Sequence, residues 1–344
     1  MTTLAYISLS GDNLIRAYEM DDAGMLTNCQ DVPVPGGPSA LASAPDGKTL
    51  YCSLRASREL AAFRFEESGG LRLLGKQQLD GDTCYVAPDK TGRYLLAAYY
   101  RAGKVTVHSL ESDGTIASEV CSVSTADRAH CVETDASNRY AFVPHPLDAN
   151  SVYQFLFDEN TGQLTPNPTS PIRAAGDGDG PRHFVFSLDQ RFVYTSNEDG
   201  SGVTAYNFDG PTNAQTQDQS ESGTLEPIQT ISTLPDDFSG SNTCAQIHLH
   251  PSGRTLYVSN RGHDSIAVFA VDTDSGALTS RGWQPTEEIP RVFNIDPSGR
   301  FLVAAGQGSG RAATYAIDQD SGTLAPLHVC EVGESPMWVL FRQV

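Results

Sequence analysis

Short apolar runs alternate with polar turns at strand period throughout this chain, and one arrangement keeps returning. Its clearest copy is Gly180–Asn197, GPRHFVFSLDQRFVYTSN. The alternation predicts a strand over His183–Ser187, a tight turn at Leu188-Asp189-Gln190 and a second strand over Phe192–Ser196 that runs back antiparallel. Five related pairs read SALASAPDGKTLYCSL, CYVAPDKTGRYLLAAY, CVETDASNRYAFVPH, IHLHPSGRTLYVSN and FNIDPSGRFLVAAG. A second signature falls between the pairs, a glycine turn before a leucine-like residue. It occurs at Gly24, Gly69, Gly114, Gly162, Gly223, Gly276 and Gly322, about 45 to 60 residues apart. Glycine there supplies the positive φ that a tight hairpin needs.

Six strand pairs against seven glycine hairpins is an informative mismatch. The chain opens on a second-strand pattern, Leu4–Leu9, and closes on an unpartnered first-strand pattern, Ser335-Pro336-Met337-Trp338-Val339-Leu340-Phe341. The expected fold is therefore all-β: a seven-bladed β-propeller of four-stranded blades over 1–344, one domain, its ring closed by the C-terminal strand pairing beside the N-terminal strands. Closure removes the exposed edges that an open array would carry. The one long interruption, Asp209–Ser222, reads as a polar surface loop in the fifth blade.

Composition narrows the partners. The formal charge is -19, which opposes nucleic acid and anionic membrane surfaces, and no apolar run approaches the roughly 20 residues of a membrane span. The first residues alternate like a strand and lack a basic segment followed by an apolar core, so a cytoplasmic location is expected. Seven cysteines (29, 52, 84, 121, 131, 244 and 330), scattered and without a C-x-x-C, read as reduced and mostly buried. The oligomeric state stays open between monomer and dimer.

In an antiparallel blade the first strand starts at the face where the second ends. Residues at those places surround one mouth of the central channel: Arg55, Tyr99, Tyr100, Arg101, His130, Arg182, His183, Glu198, Asn260, Arg261, His263, Arg291, Gln307, Met337 and Trp338. The other mouth receives only generic turns such as PDG and PSG. A rim rich in arginine, histidine and glutamate fits a small anionic substrate, since guanidinium forks onto carboxylate or phosphate and Glu or His moves protons.

Gly180-Pro181-Arg182-His183, Ser196-Asn197-Glu198, Ser259–Ser265 (SNRGHDS), Phe293-Asn294 through Gly306-Gln307 and Ser335–Val339 (SPMWV) carry a resemblance over nearly the whole chain. They resemble the seven-bladed propeller lactonases that include bacterial 6-phosphogluconolactonases and fungal 3-carboxy-cis,cis-muconate lactonising enzymes. The resemblance implies a functional set of His130, Arg182, Glu198 and Arg261. The run Gln284–Asn294 looks more like the phosphogluconolactonase branch, which implies hydrolysis of 6-phospho-D-glucono-1,5-lactone in the oxidative pentose phosphate pathway, without a cofactor. Many relatives have His-x-His where this chain has Arg128-Ala129-His130, so Arg128 is expected to add positive charge.

In that chemistry Glu198 or His130 activates water and Arg182 or Arg261 faces the oxyanion. Arg55, Arg128, Arg291, Gln307, Asn260 and Tyr100 are the expected substrate-binding residues. Four alternatives stand beside it: hydrolysis of an unphosphorylated sugar lactone, a muconate-type cycloisomerase, a non-catalytic scaffold, and a divalent cation held by Glu198, Asn197 and Asn260, which the arginines oppose. His183 is expected to point into its blade, and His248-x-His250 to lie away from the mouth.

Overall fold

The computed structural model describes residues 2–67, 69–211 and 222–344. Seven antiparallel sheets follow one another around a central axis. In blade 2 the strands are Pro38–Ser43 (innermost), Thr49–Leu54, Glu59–Phe65 and Leu71–Gln78 (outermost). Blade 3 covers Thr83–Pro88, Tyr94–Tyr99, Lys104–Leu110 and Ile116–Ser124, and blade 5 covers Pro181–Phe186, Phe192–Asn197, Gly202–Asp209 and Thr224–Ser232. Blade 6 covers Thr243–Leu249, Thr255–Arg261, Ser265–Val271 and Leu278–Pro285, and blade 7 covers Val292–Ile295, Phe301–Gly306, Arg311–Ile317 and Leu324–Glu331. Most of the expected loop at 209–222 lies outside the described residues.

Blade 1 is closed as the strand count requires. Pro336–Gln343 is its innermost strand and pairs antiparallel with Thr3–Leu9, with Ile7 opposite Val339 and Tyr6 opposite Leu340. Leu14–Met20 and Leu26–Pro33 complete the sheet. Blade 4 departs from the pattern. Its inner strand is only Glu133–Thr134, and the outer edge of Ser151–Asp158 is shared by Gln163–Pro166 and Ile172–Arg173. Among the described residues the sole helical turn is Leu147–Ala149.

Burial follows strand position. Second strands such as Thr49–Leu54 and Phe192–Asn197 are buried at every residue, because a neighbouring blade covers each face. Outer strands such as Leu278–Pro285 are largely exposed. The hairpin glycines do more than turn the chain. Gly24, at φ +80, would with a Cβ meet Phe301 of blade 7 at 2.7 Å, and Gly223, at φ +67, would meet Tyr140 of blade 4 at 2.0 Å. Each hairpin thus packs without a side chain on the blade before it, and the Gly24 contact spans the ring closure.

Candidate active site

The inner strands carry one irregularity that decides what reaches the axis. In blade 5, Pro181 pairs with Asn197 but His183 pairs with Ser196, leaving Arg182 as an extra residue. Similar shifts lie between Thr83 and Tyr85 in blade 3, Pro38 and Leu41 in blade 2 and Cys244 and Ile247 in blade 6. A bulge re-aims a side chain that strict alternation would send into the blade. Arg182 and His183 are adjacent, yet both line the axial cavity, together with Ser39, Cys84, His130, Gln246, Arg291, Val292, Met337 and Trp338. The expectation that His183 points into its blade is thereby corrected.

This cavity is small, about 10 Å³, which is close to the least that holds one water. Rings make up much of its wall and pack on Tyr85. The His183 ring lies 5.1 Å from His130, 5.3 Å from Tyr85 and 6.0 Å from Trp338, and the Tyr85 hydroxyl donates to Glu133. A cleft of about 360 Å³ is lined by turn residues such as Asp272, Asp318 and Arg254, and their mixed charges mark an inter-blade groove. Another, of about 420 Å³, is lined by Gln307, Gly308, Glu334 and Ser335, which places Gln307 on a cleft separate from the axial cavity.

Glu198 joins the charges of two blades. Its Oε2 stands 3.4 Å from Arg182 Nε, while its Oε1 accepts a hydrogen bond from Arg261 Nη2. Arg261 Nη2 also donates to the Cys244 carbonyl at 2.8 Å. Arg182 is 2% exposed and its Nη1 has no hydrogen-bond partner. Burial raises the Glu198 carboxyl, but Arg182 and Arg261 outweigh it and hold the group below its ordinary range, so it is ionised at neutral pH. Burial pulls Arg182 down to about 9, with Glu198 opposing and Arg261 and Arg291 assisting; it remains a cation near neutrality.

His130 is buried and its Nδ1 is unpartnered. Burial, and then the field of Arg182, push it well below 6.5, so it is a neutral imidazole. Tyr100 packs edge-on against it at 5.5 Å. Arg291 is part-buried and lines the cavity, and its guanidinium makes no hydrogen bond or ion pair among the described residues. Arg55 sits close enough to perturb Arg291 and donates to Asp82 at 3.0 Å. Gln307 reaches the Met337 sulfur at 3.5 Å, and Arg128 stands 3.8 Å from the exposed Asp148.

The structure places Asn260 elsewhere. It is fully buried, donates to Thr233 O at 2.9 Å and accepts from Thr233 Oγ1 and Asn242. Its polar atoms tie together the backbone of blades 5 and 6 and leave nothing for a substrate. Asn197 is likewise engaged with Thr195 and Thr204. His250 bonds Ser252 and Gly299 at the far turn, and no group of three or more His, Cys, Asp or Glu among the described residues is placed to hold a metal.

Ser39, Cys84 and Gln246 were missed in the sequence reading. For the first of these a signal existed: Pro38, Pro181, Pro290 and Pro336 each stand immediately before a cavity-lining residue, namely Ser39, Arg182, Arg291 and Met337. Proline suits the first position of a strand, where no ladder donor is needed. Cys84 lines the cavity as a thiol. Burial pushes it up to about 11 despite Arg55, Arg182 and Arg291, and its Sγ contacts the carbonyls of Ala129 and His130. All seven cysteines are free, and five of them are buried.

A profile described as lactonase, seven-bladed β-propeller, matches residues 5–341. The chain belongs to this lactonase family. Similar proteins include 6-phosphogluconolactonases of Pectobacterium carotovorum, 34% identical with 98% of each chain covered, and of Erwinia tasmaniensis, 31% identical over 100% of both. Among solved structures, a periplasmic gluconolactonase of Pseudomonas aeruginosa superposes with a TM-score of 0.90 at 28% identity over all of both chains. The mouth brings together a carboxylate paired with two arginines, a buried guanidinium with an unpartnered N–H and a neutral imidazole. No helix in the structure is long and apolar enough to cross a membrane.

Proposed function

We propose that this chain hydrolyses 6-phospho-D-glucono-1,5-lactone to 6-phosphogluconate, the lactone-opening step of the oxidative pentose phosphate pathway, in the cytoplasm. The observation that carries this reading is that Arg182, whose Nη1 has no hydrogen-bond partner, lines a small axial hole together with the neutral His130 and is ion-paired with Glu198. The lactone carbonyl oxygen enters that hole and the rest of the substrate lies above it, at the mouth.

Glu198 takes a proton from water as the water oxygen bonds to the carbonyl carbon. Arg182 bears the oxyanion. When the tetrahedral intermediate collapses, the bond from carbon to the ring oxygen breaks and Glu198 returns its proton to that oxygen, leaving a hydroxyl and a carboxylic acid that ionises. Arg261 holds the Glu198 carboxylate in place, and His130, neutral by burial, offers a hydrogen bond without adding charge. One well-placed oxyanion donor contributes about 3 to 4 kcal/mol to such a barrier. Seven free thiols suit a reducing compartment.

The Pseudomonas relative favours a second reading, hydrolysis of unphosphorylated gluconolactone. A proton-release assay comparing 6-phosphogluconolactone, glucono-1,5-lactone and a muconolactone, each against an enzyme-free control, separates them. The first reading requires the phosphorylated lactone to give the highest kcat/KM. Acceleration of none of the three would remove the hydrolase reading.

A further inference from the structure

The charges at the mouth do not balance. Arg182, Arg261 and Arg291 share one carboxylate, Glu198, in a chain whose overall charge is -19. Arg291 is the least satisfied of the three. It is part-buried, its guanidinium has no partner among the described residues, and its electrostatic neighbours include the cations Arg261 and Arg55. Holding a partly desolvated guanidinium beside two others is unfavourable unless an anion completes the set. The opposite side of the mouth is different: there Arg128 faces Asp148, and Asp199, in the field of Glu198 and Arg128, accepts a hydrogen bond from the Leu147 backbone.

Cavity size excludes a second placement. A hole of about 10 Å³ has room for about one water-sized atom, so a phosphoryl group fits above Arg182 and not beside it. Arg55, at the end of the second strand of blade 2, and Arg291, before the inner strand of blade 7, flank blade 1 on its two sides. We propose that Arg291 and Arg55 form a phosphate seat over blade 1, which selects phosphorylated over neutral lactones by completing the charge that the protein leaves unpaired. Arg55 reaches Asp82 through one Nη, and Asp82 fixes its plane while its other N–H groups turn to the phosphate. This proposal rests on the lactonase reading and adds its substrate selectivity.

The test compares wild type with Arg291→Gln, Arg55→Gln and the charge-conserving Arg291→Lys, using 6-phosphogluconolactone and glucono-1,5-lactone. In both Gln variants the ratio of kcat/KM for the phosphorylated over the neutral lactone is expected to fall at least about tenfold, mainly through KM, as loss of a charge-assisted bond requires. Arg291→Lys should recover part of it. Inorganic phosphate should raise the melting temperature of wild type and do so much less in either Gln variant, a readout independent of turnover. Failure of wild type to accelerate either lactone sinks the hydrolase reading. Normal turnover with an unchanged ratio and unchanged phosphate stabilisation in the Gln variants overturns the seat alone.

Discussion

Glu198 Oε2 lies 3.4 Å from Arg182 Nε, close enough for charge attraction but without a hydrogen bond between them. Each group therefore keeps a polar atom without a hydrogen-bond partner, and Arg182 lines the axial cavity. A pair that only tied two strands would be expected to close its bond, as Arg16 and Asp31 do at 2.6 Å.

Glu198→Gln keeps the shape and removes the base and the anion between two arginines. Turnover should fall by at least about 10²-fold. Thermal melting should also drop, since Arg182 loses its counter-charge inside the protein. Wild-type turnover in a folded Glu198→Gln protein would remove the carboxylate from the chemistry.

Arg182→Met preserves most of the buried volume that Arg182→Ala would empty. It should lower kcat by about 10² to 10³, the scale of one lost oxyanion donor, with a melting temperature close to wild type because Met brings no buried charge. A change confined to KM would assign Arg182 to binding.

Acid stability follows from buried histidines. Burial pushes His108, His145 and His248 each down to about 4, and holds His130 and His183 well below 6.5. The unfolded chain takes up these protons near pH 6.5 and the folded protein does not. Stability should therefore be full above that pH and decline steadily as pH falls from 6.5 toward 4. Calorimetric melts across this window would show it, and a flat melting temperature would contradict it.

Deleting Ser335–Val344 removes the inner strand of blade 1 along with Met337 and Trp338 from the cavity. Loss of the cooperative melting transition is expected, and not merely a small shift, because Thr3–Leu9 then loses its pairing partner and the neighbouring blades lose a packing face. A native-like melt of this truncation would show that closure contributes little.

Blade number and ring closure were legible in the chain because hairpin glycines and strand alternation are local. Even the unequal numbers of strand pairs and glycine turns translated directly into the shared blade 1. The mouth was legible as a set of positions, and Arg182, Glu198, Arg261, His130 and Arg291 do gather there. Side-chain direction was not. Alternation sends Arg182 and His183 to opposite faces, whereas the bulge turns both inward. Asn260 sits at a mouth position by strand counting, yet its hydrogen bonds come from Thr233 and Asn242, more than a dozen residues away, and only folding brings them together.

The shared first blade also sets an order of events. Thr3–Leu9 is made before every other strand of the ring, but its inner partner, Pro336–Gln343, is made after them all. Until then Thr3–Leu9 must hold an unsatisfied edge, and the axial cavity lacks Met337 and Trp338. A circularly permuted gene that starts just before Ser335 would deliver that blade whole, and should lower the nascent chain's demand for chaperones.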